Sequence, residues 1–287
     1  MSSIGFACLS LLFAAALDLT FKRYSSEPRS RGMYVAGIGL VWGLAQLVVA
    51  EPDSITIPGE TAAIALCLAA GVCVTASNLL LIASLSHVDV SLGSTIYRLN
   101  TVGVVILSLL FLGEPLGVTK LTAVALGVAA AILLYGGRAD ATTQALHNTF
   151  FWLVVLASFL RACFGVLSKA ALTLGVTQST LLLAGALCWV IGGLAYAWLG
   201  ERRVRVTWAK VRFSLVSGLL VFLVVNTLFL GLQRGDASIV IPIANLSFVI
   251  VLIVSVALRM EALTARKALA LALAAGCIWV MSVVPTS

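Results

Sequence analysis

IYRLNTVGVVILSLLFLGEPLGVTKLTAVAL, residues 96–126, returns 147 residues later as IANLSFVIVLIVSVALRMEALTARKALALAL, residues 243–273. At that offset Ile96, Leu99, Val102, Val104, Ile106 and Ser108 meet Ile243, Leu246, Val249, Val251, Ile253 and Ser255. Apolar matches arise easily in a hydrophobic chain. Charged ones do not, and Glu114 and Lys120 meet Glu261 and Lys267. The same shift pairs Lys22 with Lys169, Trp42 with Trp189 and Asp89 with Asp236, while Asn78 and Asn226 pair one residue further on. The chain reads as an internal duplication, on which the rest of the reading depends.

Hydrophobic residues make up 61% of the 287, and charged ones only 10%. That balance excludes a water-soluble enzyme or nucleic-acid binder and predicts an all-α polytopic membrane protein. Ten apolar runs can each cross a bilayer as a helix, at about 4–21, 33–50, 61–85, 90–112, 119–136, 149–171, 179–199, 213–232, 238–258 and 266–284. The first run has small residues at Ala14–Ala16 but no basic segment before it, and it is the repeat partner of 150–171. It is therefore expected to be a retained helix, not a signal peptide. The net charge of +7 needs no acidic partner, because the basic residues lie mostly between spans. The six cysteines sit in apolar runs without a C-x-x-C, and His87 and His147 are far apart. No metal or cofactor is expected from these spacings.

Each copy holds five spans, residues 1–140 and 149–287, joined at the polar stretch 137–148. An odd number of crossings reverses direction, so the second copy is inverted relative to the first. Loop charges agree. The first loop carries Lys22, Arg23, Arg29 and Arg31, and its counterpart between spans six and seven carries none. The second loop is acidic, and its counterpart holds Arg202, Arg203, Arg205, Lys210 and Arg212. Small residues, Gly39 and Gly43 in one helix and Ala123, Gly127 and Ala131 in another, predict close helix packing within the chain.

An apolar helix ending in LFLGEPL, Leu110–Leu116, followed by a helix with Gly127 that ends at Tyr135–Gly137, resembles the EamA-like families of the drug/metabolite transporter superfamily. The second copy, from Arg259–Leu263, is a degenerate form of the same motif. The resemblance implies two inverted five-helix repeats, a central cavity lined by spans one, three, four, six, eight and nine, and alternating access. It also implies cytoplasmic termini, which the charges oppose.

Ionisable groups at membrane depth are costly and mark pathways or buried pairs. Asp18 lies near the end of span one with Lys22 one turn on, so the two can pair on one helix face. Arg98 lies about 12 Å into span four at the helical rise. Arg161 is near the middle of span six, and Lys169 ends it. Tyr97 and Asn100 flank Arg98, whose repeat partner is Asn245. Asn78 and Asn226 need partners in neighbouring helices or in a solute. Asp18, Asn78, Tyr97, Arg98, Asn100, Arg161, Lys169, Asn226 and Asn245 are the expected substrate-binding set. Pro242 frees a carbonyl near the start of span nine. Glu114 and Glu261 stand just before helices and suit their dipoles, not catalysis.

The expected function is a secondary transporter of a small polar solute, with a proton or counter-solute as coupling partner. A multidrug exporter of the same fold, or a non-transporting scaffold or sensor, are the alternatives. No nucleotide-binding loop, H-E-x-x-H or G-x-S-x-G occurs. Asp18 against Arg98 and Arg161 sums to about +1, which favours an anionic or zwitterionic solute. The partners are the bilayer and the solute, with no nucleic acid, and the protein is expected as a monomer or homodimer.

Lys22, Arg23, Arg29, Arg31, Arg138, Arg202, Arg203, Arg205, Lys210, Arg212, Arg259, Arg266 and Lys267 fall on one side, against Lys120 and Arg234 on the side of the termini. The positive-inside rule then puts both termini outside the cytoplasm. A reporter active only in the cytoplasm, fused after Ser287, is expected to be silent. A strongly active fusion would place the termini inside.

Overall fold

A chain this apolar has no water to satisfy its backbone once it is in lipid, so its segments must be helices. The computed structural model describes residues 2–51, 54–56, 59–112, 117–135, 141–202, 204, 206–232, 240, 244–260 and 262–282, with backbone alone at 101, 105, 108–109, 112, 120, 131, 134–135, 141–147 and 281–282. The helices are α1 Ser3–Ser25, α2 Arg31–Val49, α3 Thr61–Ser84, α4 Val90–Arg98, α5 Asn100–Leu112, α6 Val118–Tyr135, α7 Ala141–Thr173, α8 Gln178–Ala195, α9 Trp208–Leu232, α10 Ser247–Ala257 and α11 Ala265–Ser282. No strand occurs among the described residues. Six helical stretches are long and apolar enough to span a bilayer, within α1, α2, α3, α7, α8 with its following turn, and α9. The stretch 141–148, expected as a polar joint, is helical and opens α7. Glu114, Glu261 and Pro242 and the side chains of Lys120 and His147 lie outside the described residues.

The expected fourth span is two helices. α4 ends at Arg98, and Leu99 has φ −72° and ψ 7° before α5 begins. Leu246, 147 residues on, has φ −74° and ψ 8° before α10. In each case the amide three residues later, Val102 or Val249, donates to that leucine's carbonyl at 3.0 Å. Neither leucine is a helix breaker, so packing and not propensity sets the break.

The starts of α2 and α8 are capped. Ser30 and Thr177, another pair at the 147-residue offset, are the N-caps of α2 and α8. Glu201, at the end of the π-helical turn Tyr196–Gly200 that follows α8, accepts from Ser30 Oγ at 2.5 Å and the Arg31 amide at 2.9 Å. Reciprocally, Thr177 Oγ1 donates to the Ser54 carbonyl beyond α2 at 2.6 Å. Free amide groups at a helix start attract such acceptors.

Small residues let α2 and α8 touch backbone to backbone. A Cβ on Gly193 would meet the Ala36 amide nitrogen at 2.5 Å and the Gly32 carbonyl at 2.7 Å. A Cβ on Gly39 would meet Trp189 and Ala186 inside 3 Å, so Gly39 and Gly43 serve this contact within the chain. Trp42 and Trp189, repeat partners, meet edge to face at 5.9 Å. Gly193→Val should therefore cost about 1–3 kcal/mol as an overpacked core does, while Gly59→Ala, with nothing within 4 Å, is neutral. Thermal unfolding in detergent checks both, and equal melting temperatures would contradict the crossing.

Candidate functional site

The carboxylate of Asp18, on α1, is buried against α4. Ser94 Oγ donates to Asp18 Oδ2 at 2.5 Å, and Arg98 Nη2 reaches the same oxygen at 3.5 Å. Ser94 and Arg98 are four residues apart, so one face of α4 presents both. The side chains are 4% and 11% exposed for Asp18 and Arg98. The guanidinium also lies 5.9 Å from the Tyr97 ring. Its Nε is buried without a hydrogen-bond partner. A long ion pair and an idle donor leave this arginine under-satisfied at a depth where each missing partner is costly.

A second set adjoins it through Tyr97. Ser77 Oγ, on α3, donates to the Ala157 carbonyl of α7 at 2.6 Å and lies 3.3 Å from the Tyr97 hydroxyl. The next residue, Asn78, is buried and donates to the Val74 carbonyl at 2.8 Å. Arg161 stands one turn beyond Ala157 on α7, half-buried, with its guanidinium 5.0 Å from the Phe164 ring. Among the described residues no carboxylate pairs with Arg161. Asn226, on α9, is elsewhere: it donates to Gln46 Oε1 at 3.1 Å and to the Phe222 carbonyl at 2.8 Å. Asn100 opens α5, and Asn245 immediately precedes Leu246; both are half-buried. Lys169 is exposed near the end of α7.

The expected set thus divides. Asp18 and Arg98 meet where α1 faces α4, and Tyr97 links α4 to Ser77 of α3; Asn78 is joined to this set only through its neighbour Ser77, and Arg161 lies one turn beyond Ala157 on α7. Asn226 belongs to a separate polar contact with α2. Sequence reasoning missed Ser77, Ser94 and Gln46. Ser94 was signalled by its four-residue spacing to Arg98, and Ser77 by its adjacency to Asn78. Nothing in the sequence tied Gln46 to Asn226.

Lys22 is one turn from Asp18, but its ammonium donates to the Leu85 and Val88 carbonyls at 2.7 and 2.8 Å. It caps the C-terminal end of α3, where carbonyls lack helical partners. His87, beside it, lies flat on Phe150 at 3.7 Å. Burial first, then the charges of Arg31 and Lys22, holds its pKa below the ordinary histidine value. Lys267, at the start of α11, pairs with Asp89, the residue before α4, at 2.5 Å. α4 is therefore tethered at its outer end, ends at the Leu99 break, and carries the site between.

The sequence offset provides an internal comparison. At 147 residues on from Asp18, Ser94, Tyr97 and Arg98 stand Gly165, Ile241, Ala244 and Asn245. None of this charge recurs there.

Six bilayer-length apolar helices, with no strand among the described residues, define a multi-pass membrane protein. Residues 1–136 match the model of the EamA-like transporter family. A solved structure titled "Crystal structure of protein" is 16% identical to this chain, with a TM-score of 0.67 over 97% of this chain and 95% of that one. That likeness shows the fold alone. No curated protein matches the sequence.

Lys22→Met should remove both carbonyl contacts and lower stability by about 1.5–3 kcal/mol, as for hydrogen bonds to a charged group. Urea or thermal unfolding in detergent reads it. An unchanged midpoint would mean that α3 does not depend on this cap.

Proposed function

We propose that the protein is a secondary transporter that carries a small polar metabolite, anionic or zwitterionic, across the cytoplasmic membrane by alternating access. The reading takes the ten expected spans as two inverted repeats, residues 1–140 and 149–287. Helix contacts support it, because they recur under exchange of the copies. α3 packs on α7 as α1 does on α9; α3 packs on α8 as α2 does on α9; α5 packs on α7 as α10 does on α1. The matched breaks at Leu99 and Leu246 add discontinuous helices, which line binding sites in other inverted-repeat transporters.

The observation that carries the functional reading is the buried Asp18–Ser94–Arg98 cluster, present in one copy and absent from the other. A guanidinium offers a planar fork suited to a carboxylate or phosphate. Here one edge leans on Asp18 and Nε has no partner. Asp18 acts as the resident counter-ion in the empty protein. A solute carboxylate takes up the unused donors, and Tyr97 with Arg161 shapes the approach. The surplus positive charge of Arg161 favours an anionic or zwitterionic group over a lipophilic cation.

A thermal-shift screen of anionic and zwitterionic metabolites identifies the solute, since a ligand at a hundred times its Kd stabilises by about 2.7 kcal/mol. With that solute in proteoliposomes, Arg98→Lys is expected to keep the fold and lose transport by about tenfold or more, because an ammonium cannot reproduce the fork. Asp18→Asn with Arg98→Gln removes both charges, so it should fold well yet remain inactive. Recovery of transport in that double variant would make the pair architectural and defeat the substrate role.

A further inference from the structure

At the corner where α2 and α9 begin and the π-helical turn after α8 ends, two surface cavities of about 430 and 420 Å³ adjoin. They share Arg202 and Val204. Trp198 and Leu199 line the first; Arg29, Ser30, Thr207 and Lys210 line the second. We propose that this corner binds an anionic phospholipid, its phosphate among Arg202, Lys210 and the hydroxyl of Thr207, its acyl chain along Trp198 and Leu199.

Charge complementarity comes first. The two carboxylates nearby are already engaged. Glu201 accepts from Ser30 Oγ and from the amides of Arg31 and Gly32, and Glu27 pairs with Arg29 at 2.5 Å. Arg29 is further fixed 5.1 Å from the Phe213 ring. Arg202 has no carboxylate partner among the described residues, and Lys210 adds a second cation to the lining. The cavity thus holds net positive charge beside the Thr207 hydroxyl, a fit for a phosphodiester.

Position comes second. Trp198, Leu199 and Trp208 are 69%, 71% and 73% exposed at the ends of two spans. Exposed indoles at span ends mark the level of lipid headgroups. A free phosphate would use the cations but leave the apolar wall bare. A phospholipid uses both parts, and basic pockets between helix ends are known to take such headgroups.

The test uses the full chain, purified in detergent and stripped of lipid, with native mass spectrometry counting bound phosphatidylglycerol against phosphatidylcholine. The unaltered protein is expected to prefer phosphatidylglycerol by roughly tenfold or more, on the scale of two basic contacts. Arg202→Gln with Lys210→Gln should bring that preference to about twofold while the melting temperature in phosphatidylcholine stays unchanged. Arg259→Gln with Arg266→Gln removes the same charge elsewhere and should leave the preference intact. An equal loss in both double variants would reduce the effect to a diffuse surface field and overturn the site. Displacement of the lipid by millimolar inorganic phosphate would make it an ion site and overturn the lipid assignment. No preference in the unaltered protein would do the same.

Discussion

The absence of water in the hydrocarbon layer is the constraint on which the rest of this structure depends. A polar atom there must find a partner inside the protein or bear a cost of several kcal/mol. Helices answer for the backbone except at their ends, and the ends are where the long-range contacts appear. Lys22 closes the carbonyls after α3, Glu201 closes the amides before α2, and Thr177 ties the start of α8 to the segment after α2. Buried Ser77 and Asn78 and half-buried Asn226 follow the same rule, each donating to a carbonyl. Among the described residues Trp42, Ser168, Trp189, Ser247 and Arg98 each keep a buried polar atom without a partner. Arg98 is the charged one, and an incompletely partnered buried cation is more readily explained by binding than by folding.

Two kinds of feature separate at the 147-residue offset. The breaks at Leu99 and Leu246, the caps at Ser30 and Thr177, and the facing Trp42 and Trp189 recur at both positions and read as scaffold. Others stand at one position alone. Asp18 and Arg98 are of the second kind, with Gly165 and Asn245 at the matching positions. In the other direction, Arg161 corresponds to Ala14, which is buried. Charge thus stands at one position of each pair and not at the other.

Much of the framework was legible in the sequence, since apolar length and charge between runs are one-dimensional signals. Six of the expected spans are helices of bilayer length. Azimuth was not legible. When every face of a helix is apolar, periodicity does not say which side meets a neighbour. The sequence could pair Asp18 with Lys22 or with Arg98. The structure supplies the contact to Arg98 and turns Lys22 to the end of α3. The break at Leu99 was equally hidden, because leucine gives no local warning, and so was the Gln46–Asn226 contact, which joins residues 180 apart.

The central claim is that the two copies form a carrier that exposes one site alternately to each side. Counterflow in proteoliposomes tests it most directly. Vesicles are loaded with a millimolar mixture of unlabelled amino and organic acids and diluted into trace labelled mixture, without ATP. A carrier produces a transient accumulation of label above equilibrium that saturates with internal solute. A flux that rises linearly without overshoot, or no flux beyond protein-free vesicles, would contradict the account.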